Sequence, residues 1–427
     1  MLRISRLRND REVVLAGLAK RQLPNASEIL DQLVALDDKR KSLQTDLEND
    51  LAERNRLSKE IGALFKSGQQ AAGNALRERV SDLKEKAATL EEELNEVKQH
   101  LHDELVKLPN VPHQSVPAGV NEEDNEVYRP FEGQLPKLSE EAKPHWELAE
   151  TYQIFDLELG VRTTGSGFPL FRGQGARLQR GLINFFLDRA IAQGYEEFVA
   201  PLLVNEDSAF GTGSLPDKEG QMYYVGADDF YLIPTAEVPL TNIYRDQIVD
   251  PQAFPIKLCG YTPCFRREAG SYGAHVRGLN RVHQFDKVEI VQIAHPDNSY
   301  EVHKEMVDYV GSLLEELGLL FRILRLCGGD LTFASALTFD FEVWSAAQER
   351  WLEVSSVSNF ETFQSNRMKL RYRGENGTQL AHTLNGSALA LPRIIAALLE
   401  NNQTPDGIVL PEVLHPYVGM EKLIAQG

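Results

Sequence analysis

Phe265-Arg266-Arg267-Glu268, then a glycine-rich stretch from Ala269 to Asn280, then Arg281-Val282-His283-Gln284-Phe285: this run decides how the second half of the chain is read. On a strand, alternate residues share a face, so Arg266 and Glu268 are expected side by side. An arginine there can fork onto a phosphate, and a glutamate can accept from an exocyclic amine. A cross-strand salt bridge is the alternative use of the same two residues. The stretch between holds Gly270, Gly273 and Gly278 beside Arg277, and reads as a flexible, partly basic loop.

Three further stretches surround this run. Upstream, a helix expected over residues 177–193 stops at Gly194, a usual helix terminator. A strand follows and contains Pro201, which belongs at a sheet edge or break because proline cannot donate to a ladder. Downstream, Glu353-Val354-Ser355-Ser356 brings a carboxylate and hydroxyls onto one strand, where alternate residues face the same way. Such oxygens suit Mg²⁺, a hard cation. Beyond it, Leu384-Asn385-Gly386-Ser387-Ala388-Leu389-Ala390-Leu391-Pro392-Arg393 runs into the apolar stretch 394–399. Small residues permit close approach of backbone to ligand. Arg393 falls near a helix start, where the dipole disfavours a cation, so it reads as functional.

The N-terminal part is of a different kind. Residues 28–108 have no proline and almost no aromatics. Steps of three and four trace Leu33, Leu36, Arg40, Leu43, Leu47, Asp50, Arg54, Leu57, Ile61 and Leu64. They resume at Leu76, Val80, Leu83, Ala87, Leu90, Leu94, Val97, Leu101, Glu104 and Leu108. That spacing is a coiled-coil seam. The polar stretch from Lys66 to Gly73 holds two glycines and reads as the turn, giving an antiparallel hairpin with arms of roughly 50 Å. A dimerising coiled coil is the alternative; the polar breaks at Arg40, Asp50 and Arg54 favour a solvent-exposed hairpin. Pro109 and Pro112 stop the second helix. The chain thus divides into an arm (1–110, coiled coil about 28–108), an acidic linker (111–127) and a mixed globular domain (128–427).

Bulk composition sets bounds on this. With 427 residues, two domains are the default expectation. No apolar run approaches the ~20 residues of a membrane span. Three cysteines, Cys259, Cys264 and Cys327, make no disulfide framework and no Cys₄ zinc spacing, so a reducing compartment and no zinc are expected. Arg3, Arg6, Arg8 and Arg11 could hint at a transit peptide, but Asp10 and Glu12 interrupt the run. The net charge of −18 argues against a generic nucleic-acid binder. Any such role rests on organisation and motifs.

In this order and spacing, the stretches above resemble the three signature motifs of class II aminoacyl-tRNA synthetases. Thr235-Ala236-Glu237, residues 283–289 from His283 to Glu289, Glu353-Val354-Ser355-Ser356 and Asn385-Gly386-Ser387, with the hairpin, narrow the resemblance to the bacterial-type seryl-tRNA synthetase family over essentially the whole chain. The resemblance implies an α+β fold: the helical hairpin, then a catalytic domain with an antiparallel sheet flanked by helices. It implies a cytoplasmic homodimer, with the first motif at the interface, that joins serine to the 3′ end of tRNA(Ser) using ATP and Mg²⁺. Where an organism has tRNA(Sec), that becomes a second acceptor. The hairpin is expected to grip the tRNA.

Residue by residue, the likeness assigns Thr235, Ala236, Glu237, Arg266, Glu289, Asn385 and Ser387 to serine, Glu289 accepting from its hydroxyl. It assigns Arg266, Arg267, Glu268, Phe285, Glu353, Val354, Ser355, Ser356 and Arg393 to ATP. Within that set Arg266 and Glu268 meet the α-phosphate and the adenine amine, Phe285 stacks on adenine, Arg393 meets the γ-phosphate, and Glu353 and Ser356 hold Mg²⁺. Leu337, where a lysine is common, and the stretch 161–167 depart from the pattern. Three rival readings are disfavoured. A ligase acting on a carrier protein generally lacks the arm. A non-catalytic scaffold is expected to have lost Arg266, Arg393 or Glu353. A class II enzyme for threonine or proline carries an extra domain at the C-terminus.

Overall fold

The computed structural model describes residues 1–427 apart from 137, 139–140, 269–275, 376 and 426–427. The chain forms two compact units, residues 1–19 with 23–109, and residues 20–22 with 110–427.

The first unit is helical. Two short helices, α1 (Ile4–Asn9) and α2 (Arg11–Lys20), precede the long α3 (Ala26–Lys66) and α4 (Gln70–Val106). The heptad pattern is what joins the long pair: Leu33, Leu43, Leu47 and Leu57 of α3 are buried, as are Ala87, Leu94, Val97 and Leu101 of α4. Polar positions on the seam and flanking it are matched by ion pairs. Asp50 lies 3.0 Å from Lys86, Glu53 2.5 Å from Arg79, and Lys39 2.7 Å from Glu93. Near the open end the buried acid is Asp37, held by Arg8, Arg40 and Lys41 at 2.8, 2.9 and 3.0 Å. Arg40 is therefore a partner over the seam rather than a knob in it. The turn is narrower than its glycines suggest. Gly68, at φ +81°, makes it, whereas Gly73 lies within α4, where a Cβ would come within 2.9 Å of the Phe65 ring.

The stretch 111–127, expected as a linker, is packed into the second unit. Asn110 donates through Nδ2 to the carbonyls of Ala334 and Phe360, both at 2.9 Å, and its Oδ1 accepts from Val111 at 2.9 Å. Val111 and Val116 are buried, and the Oδ1 of Asn125 accepts from the backbone of Cys327 at 2.8 Å. Polar composition resembled a solvated tether, but these polar groups face carbonyls and amides across the body. Arg21 fastens the same region, donating to Leu331 and Thr332 carbonyls at 2.6 and 2.9 Å; burial pushes its guanidinium down to about 10.

The second unit is built on one eight-stranded sheet. Its strands are β1 (Glu126–Arg129), β2 (Glu196–Glu197), β3 (Ile256–Phe265), β4 (Gln284–Ala294), β5 (Phe321–Arg325), β6 (Leu337–Ser345), β7 (Arg350–Asn359) and β8 (His382–Ala390). Their order is β1-β5-β6-β7-β8-β4-β3-β2, antiparallel throughout except that β2 runs parallel to β3. The motif-bearing strands β3, β4, β8 and β7 are neighbours. Four helices matter here: α5 (His145–Tyr152), α6 (Gly173–Ala192), α7 (Ser299–Glu316) and α8 (Leu391–Asn401). Apolar residues of α6, α7 and α8, among them Phe185, Phe186, Met306, Leu313, Ile394 and Leu398, form one core with Val288, Ile290, Phe341, Val357, Leu384 and Ala388 of the sheet. One sheet face is thus sealed. Leu337, the departure noted in the sequence, lies in that core at 5 % exposure, so an apolar residue suits its place.

Asn110→Ala leaves the Ala334 carbonyl without its donor and the Val111 N–H without its acceptor, while the Phe360 carbonyl keeps the N–H of Phe363. We expect it to cost the body about 2–4 kcal/mol. The urea midpoint should fall at unchanged slope, followed by the fluorescence of Trp146, Trp344 and Trp351, which all lie in the second unit. An unchanged midpoint would contradict the packing described here.

Candidate active site

Alternation along β4 separates two jobs. Val288 and Ile290 enter the helix-side core. Phe285, Lys287, Glu289 and Val291 therefore point to the opposite face. Register carries that face outward. Glu289 stands opposite Ser387 and Val291 opposite Asn385 on β8, and Ser358 of β7 stands opposite Asn385. A cavity of about 490 Å³ opens over this face, and Thr235, Glu237, Arg266, Phe285, Lys287, Ser356, Asn385, Ser387 and Arg393 all contribute to its walls.

Its acidic end is compact. Glu289 is fully buried and ion-paired with Lys287, while Asn385 donates to its Oε1 at 3.0 Å. Lys287 also donates to Thr235 Oγ1 at 2.8 Å. Glu237 begins a short helix and accepts from Gln364 at 2.6 Å. Burial, then the nearby Glu289, pushes the Glu237 carboxyl up to about 7. Burial also raises Glu289, against the pull of Lys287. With Glu237 ionised, two carboxylates and one lysine leave one formal negative charge, the complement of an ammonium group, whose approach favours that ionised form.

The other end is rich in arginine. Arg266 follows β3, donates to the Pro234 carbonyl at 3.3 Å, and lies over the Phe285 ring, 5.1 Å from its centroid. Arg393, in the first turn of α8, donates to the carbonyls of Asn280 at 2.9 Å and Glu353 at 2.7 Å. Its Nη1 is 3.6 Å from the Glu353 carboxylate. Both arginines keep donors for a polyanion.

Strict strand alternation fails at two places. β3 ends at Phe265, and Glu268 has φ +47°, so alternation does not hold Arg266 and Glu268 on one face. Glu268 is ion-paired not with a residue across a strand ladder but with Arg281, both beyond the strand ends, and both still reach the cavity. In β7 the partner of Glu353 is not Ser355. A register shift at Val354 sets Glu353 opposite Glu342 and Ser356 opposite Asp340, so the bulge turns Glu353 to the face of Ser356. Ser355 instead donates to the Ser387 carbonyl at 2.6 Å. Arg267 is exposed and Ala236 fully buried; neither lines the cavity. Glu289 lies behind Lys287 rather than on the wall. The loop residues Gly270 and Gly273 lie outside the described residues.

Glu353 and Ser356 offer oxygen donors alone, and Asp340, on the same face, has a buried Oδ1 without a hydrogen-bond partner. Among the described residues no cluster of three His, Cys, Asp or Glu side chains is placed to hold a metal. The donor set thus fits Mg²⁺ shared with substrate oxygens and water, the usual coordination of that ion. The three cysteines are buried and unpaired.

Lys287, absent from the residues expected above, is the second neighbour of Glu289 on the same strand face, a place that alternation along the strand marks. Thr212 to Ser214 and Thr332 to Ala334 also line the cavity. Nothing local in those stretches signals it, because they reach the site from distant loops.

Comparison with known proteins agrees with this geometry. Residues 223–402 match the tRNA synthetase class II core domain (G, H, P, S and T), and residues 1–112 match the seryl-tRNA synthetase N-terminal domain. Fold and site together define a class II aminoacyl-tRNA synthetase. The serine–tRNA ligase of Salinibacter ruber is 50 % identical over the full length of both chains, and that of Leptospira biflexa 44 % identical over 98 % of this chain and all of its own. The seryl-tRNA synthetase of Pyrococcus horikoshii, solved with ATP, superposes with a TM-score of 0.93 at 32 % identity, covering all of both chains. The cytoplasmic enzyme of Naegleria fowleri, solved with AMP, gives 0.88 at 26 %, covering 100 % of this chain and 99 % of its own. The chain belongs to the seryl-tRNA synthetase family, and its reaction is the ATP-dependent ligation of serine to tRNA.

A carboxyl raised to about 7 in the folded state, from an ordinary 4.5, binds its proton more tightly when folded. It opposes folding progressively as pH rises from 4.5 to 7, and by up to about 3 kcal/mol above that. Glu237→Gln removes this penalty while keeping an acceptor for Gln364. The melting temperature of the ligand-free variant should match the parent near pH 5 and exceed it increasingly up to pH 8.5. Parallel profiles would show that Glu237 is not raised.

Proposed function

We propose that the acidic end of the cavity is the serine pocket and the arginine end the ATP site. The observation that carries this reading is the buried set Glu289, Lys287 and Thr235 with the half-buried Glu237 beside it, two carboxyls against one lysine. Serine's ammonium meets Glu237 and Thr235, on the turn that Ala236 completes. Its hydroxyl meets the Lys287–Glu289 pair, with Asn385 and Ser387 closing the wall. Arg266 lies between the serine carboxylate and the α-phosphate, with Glu268 and Phe285 toward adenine and Arg267 at the outer edge of the nucleotide. Arg393 takes the γ-phosphate. Glu353 and Ser356 would hold Mg²⁺, while Val354 and Ser355 shape that strand. When bound, the ion neutralises phosphate charge.

The chemistry asks for positioning. A carboxylate is already ionised at neutral pH, so attack of serine on the α-phosphorus needs no general base, and pyrophosphate leaves in line. Arg266 stabilises charge developing on the α-phosphoryl oxygens and Arg393 orients the leaving group. A terminal ribose hydroxyl of tRNA then displaces AMP from seryl-adenylate. The hairpin binds tRNA(Ser), and tRNA(Sec) where present, through exposed cations such as Lys59, Lys66 and Lys84. RNA helices are read mainly by shape and backbone, so scattered charges on a long rod suffice. The enzyme acts as a cytoplasmic homodimer; Val199, 94 % exposed beside Pro201, is an apolar residue suited to the partner contact. Among the described residues no helix is long and apolar enough to cross a membrane.

ATP–pyrophosphate exchange tests the pocket. Serine should support it and alanine should be rejected by about 10⁴-fold, because alanine leaves buried polar groups unpaired. Comparable exchange with alanine would overturn the pocket assignment.

The arm is tested by deleting residues 27–107 and closing the gap with a short Gly/Ser linker. Serine-dependent exchange should persist, aminoacylation should be lost, and gel filtration should still give a dimer. A monomer, or full charging of tRNA, would mean that the hairpin dimerises the chain rather than binding tRNA.

A further inference from the structure

A buried polar cluster lies behind the nucleotide wall, and the reaction as derived does not use it. His145 of α5 and Glu400 of α8 are both fully buried, with Nδ1 of His145 2.7 Å from Oε1 of Glu400. Nε2 of the same ring accepts the backbone N–H of Leu279 at 2.8 Å. A ring nitrogen that accepts bears no proton, so the proton sits on Nδ1 and is donated to Glu400. Glu400 is further satisfied by the His145 backbone N–H and by Gln348 Nε2, both at 2.9 Å, and by the Ser345 hydroxyl. Burial alone would raise this carboxyl, but the donors from His145 and Ser345 outweigh it and hold it below the usual carboxylate range.

The cluster leads to the site along one short path. Gly278, at φ +68°, passes so close to His145 that a Cβ would fall 2.2 Å from Nε2. Leu279 and Asn280 follow directly and line the cavity. Asn280 donates to Gln348 at 2.9 Å, and its carbonyl accepts Nε of Arg393 at 2.9 Å. A buried carboxylate is a costly way to hold a core together, since apolar residues of like volume often do as well. What apolar residues lack is an acceptor for the Leu279 amide and a means of orienting it.

We infer that His145 and Glu400 are positioning residues for the nucleotide site: Glu400 orients the imidazole, the imidazole fixes the backbone at Gly278 to Asn280, and that backbone aims Arg393. The inference rests on the assignment of Arg393 to ATP, and deepens it.

The test is a kinetic split in ATP–pyrophosphate exchange with the full-length enzyme. In His145→Asn the side-chain amide replaces Nδ1 and still donates to Glu400, but the Leu279 N–H loses its acceptor. We expect the KM for ATP to rise about tenfold, with the KM for serine within about twofold of the parent. In His145→Gln the amide oxygen replaces Nε2, and the KM for ATP should return to within about threefold of the parent. An unchanged KM for ATP in His145→Asn, or equal shifts in both KM values, would overturn the positioning role. Should His145→Asn fail to fold, Gln348→Leu decides, because Gln348 is only half-buried and links Glu400 to Asn280; it must show the same split. Arg393→Ala runs beside them. Normal ATP kinetics there would overturn the assignment of Arg393, whereas impaired kinetics there with an inert His145→Asn would overturn the positioning role alone.

Discussion

The antiparallel pairing of β4 with β8 is the constraint on which the rest of the catalytic unit depends. Because side chains alternate, Val288, Ile290 and Ala294 of β4 join the core with α6, α7 and α8, and Phe285, Lys287 and Glu289 are released to the opposite face. Glu289 opposite Ser387 then follows from register, not from any attraction between the two. A slip of one residue would place Glu289 among leucines and Val288 in the cavity. The sealed core therefore guards the site's geometry, since sliding the pair would expose Ile290 and Leu384 together.

Charge placement exploits this two-sided sheet. Removing Glu289 from water is unfavourable, and Lys287, two residues away on the same face, offsets the cost without leaving the strand. Glu237 comes from a different element and has no such partner; Gln364 satisfies one oxygen and its carboxyl stays high. The result is a pocket neutral enough to fold and acidic enough to attract a cation. At the other end the strategy is reversed. Arg266 and Arg393 donate to backbone carbonyls, and the Glu353 carboxylate stands 3.6 Å from Arg393, so much of their positive charge remains available to an anion.

The bulge at Val354 shows how one residue alters a site. Strict alternation over Glu353 to Ser356 would split the carboxylate and the last hydroxyl between opposite faces. The extra residue brings them to the face that carries Asp340 and Glu342. Val354 itself turns into the helix-side core at 2 % exposure, so the burial of its side chain helps hold the distortion in place.

Periodicity alone was enough for the hairpin. Leucines every three or four residues bury one stripe whatever lies elsewhere in the chain, so the seam, the two arms and the turn near Gly68 were legible from local pattern. The motifs around Arg266, Glu353 and Arg393 were legible too, because their residue types and order are tied to chemistry, and their resemblance to a family covered the whole chain. What alternation could not supply was where strands stop and slip. The end of β3 at Phe265, the bulge at Val354 and the packing of residues 111–127 each depend on partners remote in sequence. His145 and Glu400 illustrate this most fully: 255 residues separate them, and neither sits in a recognisable pattern. The sequence by itself determined the main amphipathic elements and which side chains have the chemistry to meet phosphates, cations or metal, since both follow from residue type and near neighbours. Only the tertiary structure decided which of those side chains share a cavity, which are turned away from it and which hold it in shape, because burial and hydrogen bonding across the sheet are settled by contacts no local window contains.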